Sequence, residues 1–202
     1  MDIMNNPAKN NLTGDEAIDR LMAGNRRYVT AKQTHPNQMP ERRAELMDGQ
    51  RPFAVILGCA DSRVPPEVIF DQGLGDLFVV RVAGNIIDDV VLGSIEYAAS
   101  HLHTPLIMVL GHSQCGAIGA TVAGGDLEGH IPSLAEAIRP VLDSIQDHTG
   151  NLVDNTARAN ARMVSEQLKQ STPVLSDLVN EVELKVVAAF YDLDTGLVEI
   201  LA

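Results

Sequence analysis

The chain has 202 residues, enough for one α/β domain and too few for two ordinary ones. Hydrophobic residues make up 45% but aromatics only 3%, with no Trp, so the core must be built from Val, Ile, Leu, Ala and Met. A net charge of −12 disfavours nucleic acid and anionic membranes as partners, and no apolar run reaches the roughly 18–20 residues of a membrane span.

The opening, MDIMNNPAKNN, has no basic segment followed by an apolar run. No secretory leader is expected, and residues 1–12 read as a flexible tail ahead of a single domain, 13–202. Thr13 and Glu16 have the spacing of a capping box, and Ile18, Leu21, Met22 and Tyr28 mark one face of a helix to Lys32. Pro40 to Met47 reads as a short helix stopped by Gly49. Three apolar runs then read as buried strands: FAVILG (53–58), LFVVRV (77–82) and LIMVLG (106–111). Helical patterns lie between them, at 66–72 and 89–102. Ser133 and Glu136 suggest a second capping box, opening a helix to Asp147. Residues 154–170 and 173–181 also read as helical, and LKVVAAFY (184–191), DLDTG and LVEIL (197–201) as a closing hairpin. The expected fold is therefore α/β: a central, mainly parallel sheet of four strands with an antiparallel fifth edge strand, flanked by helices.

The chain has two cysteines, Cys59 and Cys115, too few for a disulfide framework, and a reducing, cytoplasmic setting is expected. FAVILG runs into Cys59 and LIMVLG into His112, so a parallel sheet brings both to one edge. Open α/β sheets bind ligands at that edge, where strand order switches. Cys115 follows His112 by three residues and can turn back to the same point. Two thiolates and one imidazole form a zinc-type ligand set, and three protein ligands leave a fourth position open for catalysis. Taken singly, each cysteine reads as a small buried hydrophobe; together they occupy equivalent strand ends. Asp61 and Arg63 lie two apart in a turn stiffened by Pro65 and Pro66, where the Arg keeps the carboxylate ionised and oriented toward a metal-bound water. The plainer alternative is a turn cap beside a surface charge.

The motif C-A-D-S-R (59–63) with H-S-Q-C-G (112–116) resembles the paired signature of β-class carbonic anhydrases. The likeness extends through 49–85 and 92–98. It implies one Zn²⁺ per chain on Cys59, His112 and Cys115, with an Asp61–Arg63 dyad beside it. It also implies reversible hydration of carbon dioxide to bicarbonate by zinc-hydroxide attack. The resemblance assigns substrate contacts to Gln50, Phe78, Ala83, Tyr97 and Gly116. It further implies a homodimer, or higher even oligomer, with shared active sites and the N-terminal helix packing on a partner subunit. Ala60 stands where Ser is commoner, and Ala83 where Val is expected. Ile56 stands where a bicarbonate-inhibited subclass carries Trp, so the chain resembles the plant-type subclass. His35, His101, His103, His130 and His148 are candidate proton shuttles. Hydrolysis of carbon disulfide or carbonyl sulfide, a Cys59–His112 nucleophile, and non-catalytic zinc or anion binding remain alternatives.

Overall fold

The computed structural model describes residues 12–145 and 149–202. Four parallel strands and one antiparallel edge strand form a single sheet in the order β2-β1-β3-β4-β5, with β1 at Ala54–Gly58, β2 at Leu77–Arg81, β3 at Leu106–His112, β4 at Lys185–Tyr191 and β5 at Val198–Leu201. This is the expected α/β sheet. Every residue of β1 and β3 is buried, which is why both read as unbroken apolar runs rather than alternating ones.

The two faces of the sheet are covered separately. On one, Ala54, Ile56, Leu106, Met108 and Leu110 pack with Ala17 and Leu21 of α1 (Gly14–Val29), Ile69 of α3 (Pro66–Ile69) and Ile118 of α5 (Gly116–Ala123). Ile138 of α6 (Ile131–Ser144) joins them. On the other, Val55, Leu57, Ile107 and Val109 pack with Ile95 and Ala98 of α4 (Asp89–His101), Val164 and Leu168 of α7 (Leu152–Lys169), and Leu175 of α8 (Val174–Asn180). Truncating one such side chain, Leu21→Ala for example, would cost about 2–5 kcal/mol.

The first helix opens as its sequence dictates, with Thr13 and Glu16 bonded reciprocally as a capping box. It ends at Val29, short of Lys32, because Ala31 turns into the left-handed region at φ 53°. Ala17, Leu21, Gly24 and Asn25 are the face it buries on its own chain. Asn25 on that face holds Ile69, Gly196 and Val198 through backbone hydrogen bonds. At Gly24 the backbone lies so close to the Phe70 carbonyl that a Cβ would sit 1.8 Å from it. The expected tail falls outside the described residues except for Leu12, which packs against the core.

Other boundaries move for local reasons. The short helix α2, Pro40–Glu45, tightens into a 3₁₀ turn at Leu46–Asp48 before Gly49, whose φ is 140°. α3 stops at Ile69, and Asp71 takes φ 46°. No capping box forms at Ser133. α6 begins two residues earlier, with Pro132 in its first turn, and Ser133 Oγ donates to the His130 carbonyl. Its expected end at Asp147 lies outside the described residues. α7 starts at Leu152 because Asn151 caps the Val153 and Asp154 N–H groups.

Candidate metal centre

The chain crosses from β2, on one side of β1, to β3 on the other, so the crevice between the carboxyl ends of β1 and β3 is the switch point of the sheet. Gly58 and Leu110 are register partners there. Cys59 follows Gly58 by one residue and His112 follows Leu110 by two, which brings both into this crevice. Cys115 is the N-cap residue of α5, and left-handed Gln114 (φ 53°) turns the chain back so that it faces them.

Cys59, His112 and Cys115 are all buried, and their ligand atoms lie within 4.8 Å of one another. The two sulfurs are 3.9 Å apart. Two thiolates at about 2.3 Å from a tetrahedral zinc would be separated by about 3.8 Å. The His112 Nδ1–H donates to the Ser113 carbonyl at 2.8 Å, which leaves Nε2 as the bare nitrogen. That Nε2 is buried without a hydrogen-bond partner among the described residues. An orphaned lone pair beside two sulfurs is the pattern expected of a metal ligand. The residues therefore fit zinc.

Electrostatics agree. Without a metal, the Cys115 thiol's hydrogen bond holds Cys59 down to about 4, although burial works against it, and the Gly84 N–H assists. The same bond, with burial, pushes Cys115 up. A cation would release the second proton, because coordinating thiols are deprotonated outright.

Asp61 lies beside this group but outside it. Arg63 grips both carboxylate oxygens, Nε to Oδ1 at 3.0 Å and Nη2 to Oδ2 at 2.7 Å, and its backbone N–H adds a third bond at 2.9 Å. Those bonds hold the Asp61 carboxyl down to about 2 and raise Arg63. Arg63 also reaches the Gln114 carbonyl, tying this turn to the one before Cys115. Arg81, which the sequence reading did not single out, donates to the carbonyls of Cys59 and Asp61 from the end of β2. Its only sequence signal is its place at a strand end on the same edge.

The remaining candidates separate into two groups. Ala83 lies in the turn after β2, next to Gly84, and Gly116 opens α5, with nothing within 4 Å of where its Cβ would be. Both adjoin the metal group in the chain or in space. Phe78, Tyr97 and Gln50 do not join it. Phe78 is paired with Val55, three residues before the metal edge or about 10 Å along the strand, and packs on the opposite face of the sheet. Tyr97 lies beside it, rings 6.4 Å apart, and stacks on His101 at 5.2 Å. Gln50 is exposed in the loop that enters β1 from the far edge. Among the described residues, none of His35, His101, His103 and His130 belongs to the metal group; His148 lies outside them. No described helix is long and apolar enough to cross a membrane.

The carbonic anhydrase family profile matches residues 54–198. The chain belongs to the β-class carbonic anhydrases. It is 44% identical to carbonic anhydrase 2 of Mycobacterium tuberculosis over 181 residues, 87% of each chain. It is 42% identical to a carbonic anhydrase of Mycolicibacterium smegmatis over 185 residues, 89% of each. The fold superposes on a tetrameric β-carbonic anhydrase of Sordaria macrospora with a TM-score of 0.74, at 27% identity, covering 92% of this chain and 96% of that one. Nothing in these relatives favours the carbon disulfide or carbonyl sulfide reading, and a Cys59 nucleophile would leave Cys115 without a role at 3.9 Å from it.

Proposed function

We propose that this β-class carbonic anhydrase hydrates carbon dioxide reversibly at a zinc ion held by Cys59, His112 and Cys115. The observation that carries the reading is the bare, buried Nε2 of His112 facing two sulfurs at the switch point of the sheet. Zinc, when bound there, acidifies water and so supplies a nucleophile near neutral pH for an electrophilic carbon.

The chain's own residues supply the rest. Asp61 stays ionised, and Arg63 fixes its direction through paired hydrogen bonds. It can accept only hydrogen bonds, so it orients a water by its proton and leaves the oxygen lone pair turned toward substrate. Open space at Gly116 and the small Ala83 leave room for a triatomic molecule. The bicarbonate product is an anion, and the Arg63 guanidinium places a fixed positive charge on the dyad. Histidine is the usual carrier of the proton to buffer.

The assembly is read as a homodimer or higher even oligomer with shared sites. Support comes from Phe78 and Tyr97, an aromatic pair with Tyr97 48% exposed, and from Gln50. All three stand away from their own metal group. Docked against a second copy, they would supply the apolar wall and the amide that the site otherwise lacks. The cytoplasm is the proposed location, since two free, buried cysteines suit a reducing compartment.

Zinc content measured alongside carbon dioxide hydration tests the reading. About one zinc per chain and hydration lost on its removal are expected. Full activity in metal-free protein would overturn it.

A further inference from the structure

Beyond the ligands and the Asp61–Arg63 dyad, the Cys59 sulfur has a neighbour of a different kind. The Gly84 N–H donates to Cys59 Sγ at 3.3 Å. Gly84 itself is in a left-handed conformation, φ 74° and ψ 12°. A Cβ there would also press on the end of the Ile138 side chain at 2.9 Å, so the position favours glycine. On the other side of Gly84, the next peptide unit is held by Asn160, in the middle of α7. Its Nδ2 donates to the Gly84 carbonyl at 2.9 Å in a fully buried contact. A buried Asn on a helix that otherwise packs Ala157, Ala161 and Val164 against the sheet is costly unless its position is used. Among the described residues its own Oδ1 has no partner, so the Gly84 bond is the amide's anchor there. The same helix holds the other ligand loop, where Asp154 Oδ1 accepts from the Gln114 N–H at 2.8 Å, one residue before Cys115.

We propose that Asn160 is a positioning residue for the metal centre, holding the Gly84 carbonyl and with it the left-handed turn at Gly84, whose N–H, on the preceding peptide, hydrogen-bonds the Cys59 sulfur ligand. The inference rests on zinc binding at Cys59, His112 and Cys115 and deepens that reading. An N–H directed at a thiolate draws electron density from sulfur and so adjusts the metal–sulfur bond. Asn160 acts through Gly84 and touches neither substrate nor metal.

The test uses the whole protein and two readouts besides activity. Zinc affinity is measured by competition with a chelator, and the thiolate-to-metal charge-transfer band is recorded after Co²⁺ substitution. Asn160→Ala should weaken zinc by about ten- to hundredfold, and should move the band to longer wavelength as the sulfur regains electron density. Thr156→Ala is the control. It removes an equally buried side chain one turn away, whose hydroxyl bonds only the Leu152 carbonyl of its own helix. It should leave both readouts at wild-type values even where it lowers the melting temperature. Asn160→Ser, a milder cut, should depart from wild type in the same direction, and decides the matter if the alanine variant does not fold. Unchanged affinity and band in the Asn160 variants, or equal changes in Thr156→Ala, would overturn the proposal. Wild-type protein that binds no zinc would instead overturn the reading of the site itself.

Discussion

The His112 imidazole donates through Nδ1 to the carbonyl of its neighbour Ser113, and this single bond fixes which ring nitrogen faces the two cysteines. Ser113 is itself held, its N–H on the Tyr191 carbonyl and its Oγ on the Leu193 N–H. The imidazole is therefore anchored to β4 and the turn after it. Removing any one of the three ligands leaves two, too few to hold zinc at a tetrahedral site. Cys59→Ser, His112→Ala and Cys115→Ser should each lose metal and hydration together, as read by metal analysis of the purified variants. Retention of stoichiometric zinc in any of them would show that the ligand set is wrong.

Asp61 should be separable from metal binding, since it lies outside the ligand group and spends both oxygens on Arg63. Asp61→Asn removes the charge while keeping the shape. Zinc content should remain, with turnover reduced on the order of 10²-fold. Because the carboxyl sits at about 2, no step in the rate profile near neutral pH should belong to it. A variant with wild-type rates would reduce the pair to a surface clamp.

Asp71 provides a prediction about folding. It is 3% exposed and accepts from Arg27 Nε at 2.6 Å and from the N–H groups of Thr34 and His35 at 3.0 and 2.9 Å. Burial would raise its carboxyl, but these bonds outweigh burial and hold it below the ordinary value. A carboxyl lowered in the folded state stabilises the fold above its unfolded value of about 4, and that contribution is lost as pH falls through the folded value. Asp71→Asn should cost about 1–3 kcal/mol at pH 7 in urea unfolding. The gap to wild type should narrow below about pH 4. Asn adopts the φ of 46° readily, so strain would not account for the loss. A gap independent of pH would assign the effect to packing.

Bicarbonate should inhibit only weakly, as a competing product. Ile56, where the inhibited subclass carries Trp, is fully buried in the middle of β1 and presents no polar atom to an anion. Steep, cooperative inhibition at about millimolar bicarbonate, which corresponds to a binding free energy of about −4 kcal/mol, would place the chain in that subclass.

Shared sites can be tested by complementation. A Gln50→Ala chain keeps its ligands, and a Cys59→Ser chain keeps Gln50. Each alone should be poorly active. Mixed dimers would hold one complete site, with zinc on the first chain and Gln50 from the second, so co-expression should recover part of the wild-type rate. Mixed dimers verified by mass spectrometry without recovery would mean that each chain completes its own site.

The sequence by itself determined the sheet and the metal group. Strands buried on both faces read as unbroken apolar runs, and both cysteines and His112 sit at or just after the ends of two of them, so the parallel topology alone brings them to one edge. The dyad was legible for the same reason: Asp61 and Arg63 are two residues apart, and a turn of that length brings them together whatever surrounds it. Tertiary structure decided what depends on distant segments. The seat of α1 on its own chain depends on Gly24, which lets its backbone approach Phe70, a contact no helical periodicity encodes. Ser133 and Glu136 had the right spacing for a cap, yet Pro132 let the helix start earlier. Asn160 lies 76 positions from Gly84, and Arg81 22 from Cys59, so their hydrogen bonds to the ligand loops exist only once the sheet and α7 are stacked. Such positioning bonds run from side chain to backbone carbonyl, and a carbonyl carries no residue identity for a sequence motif to record.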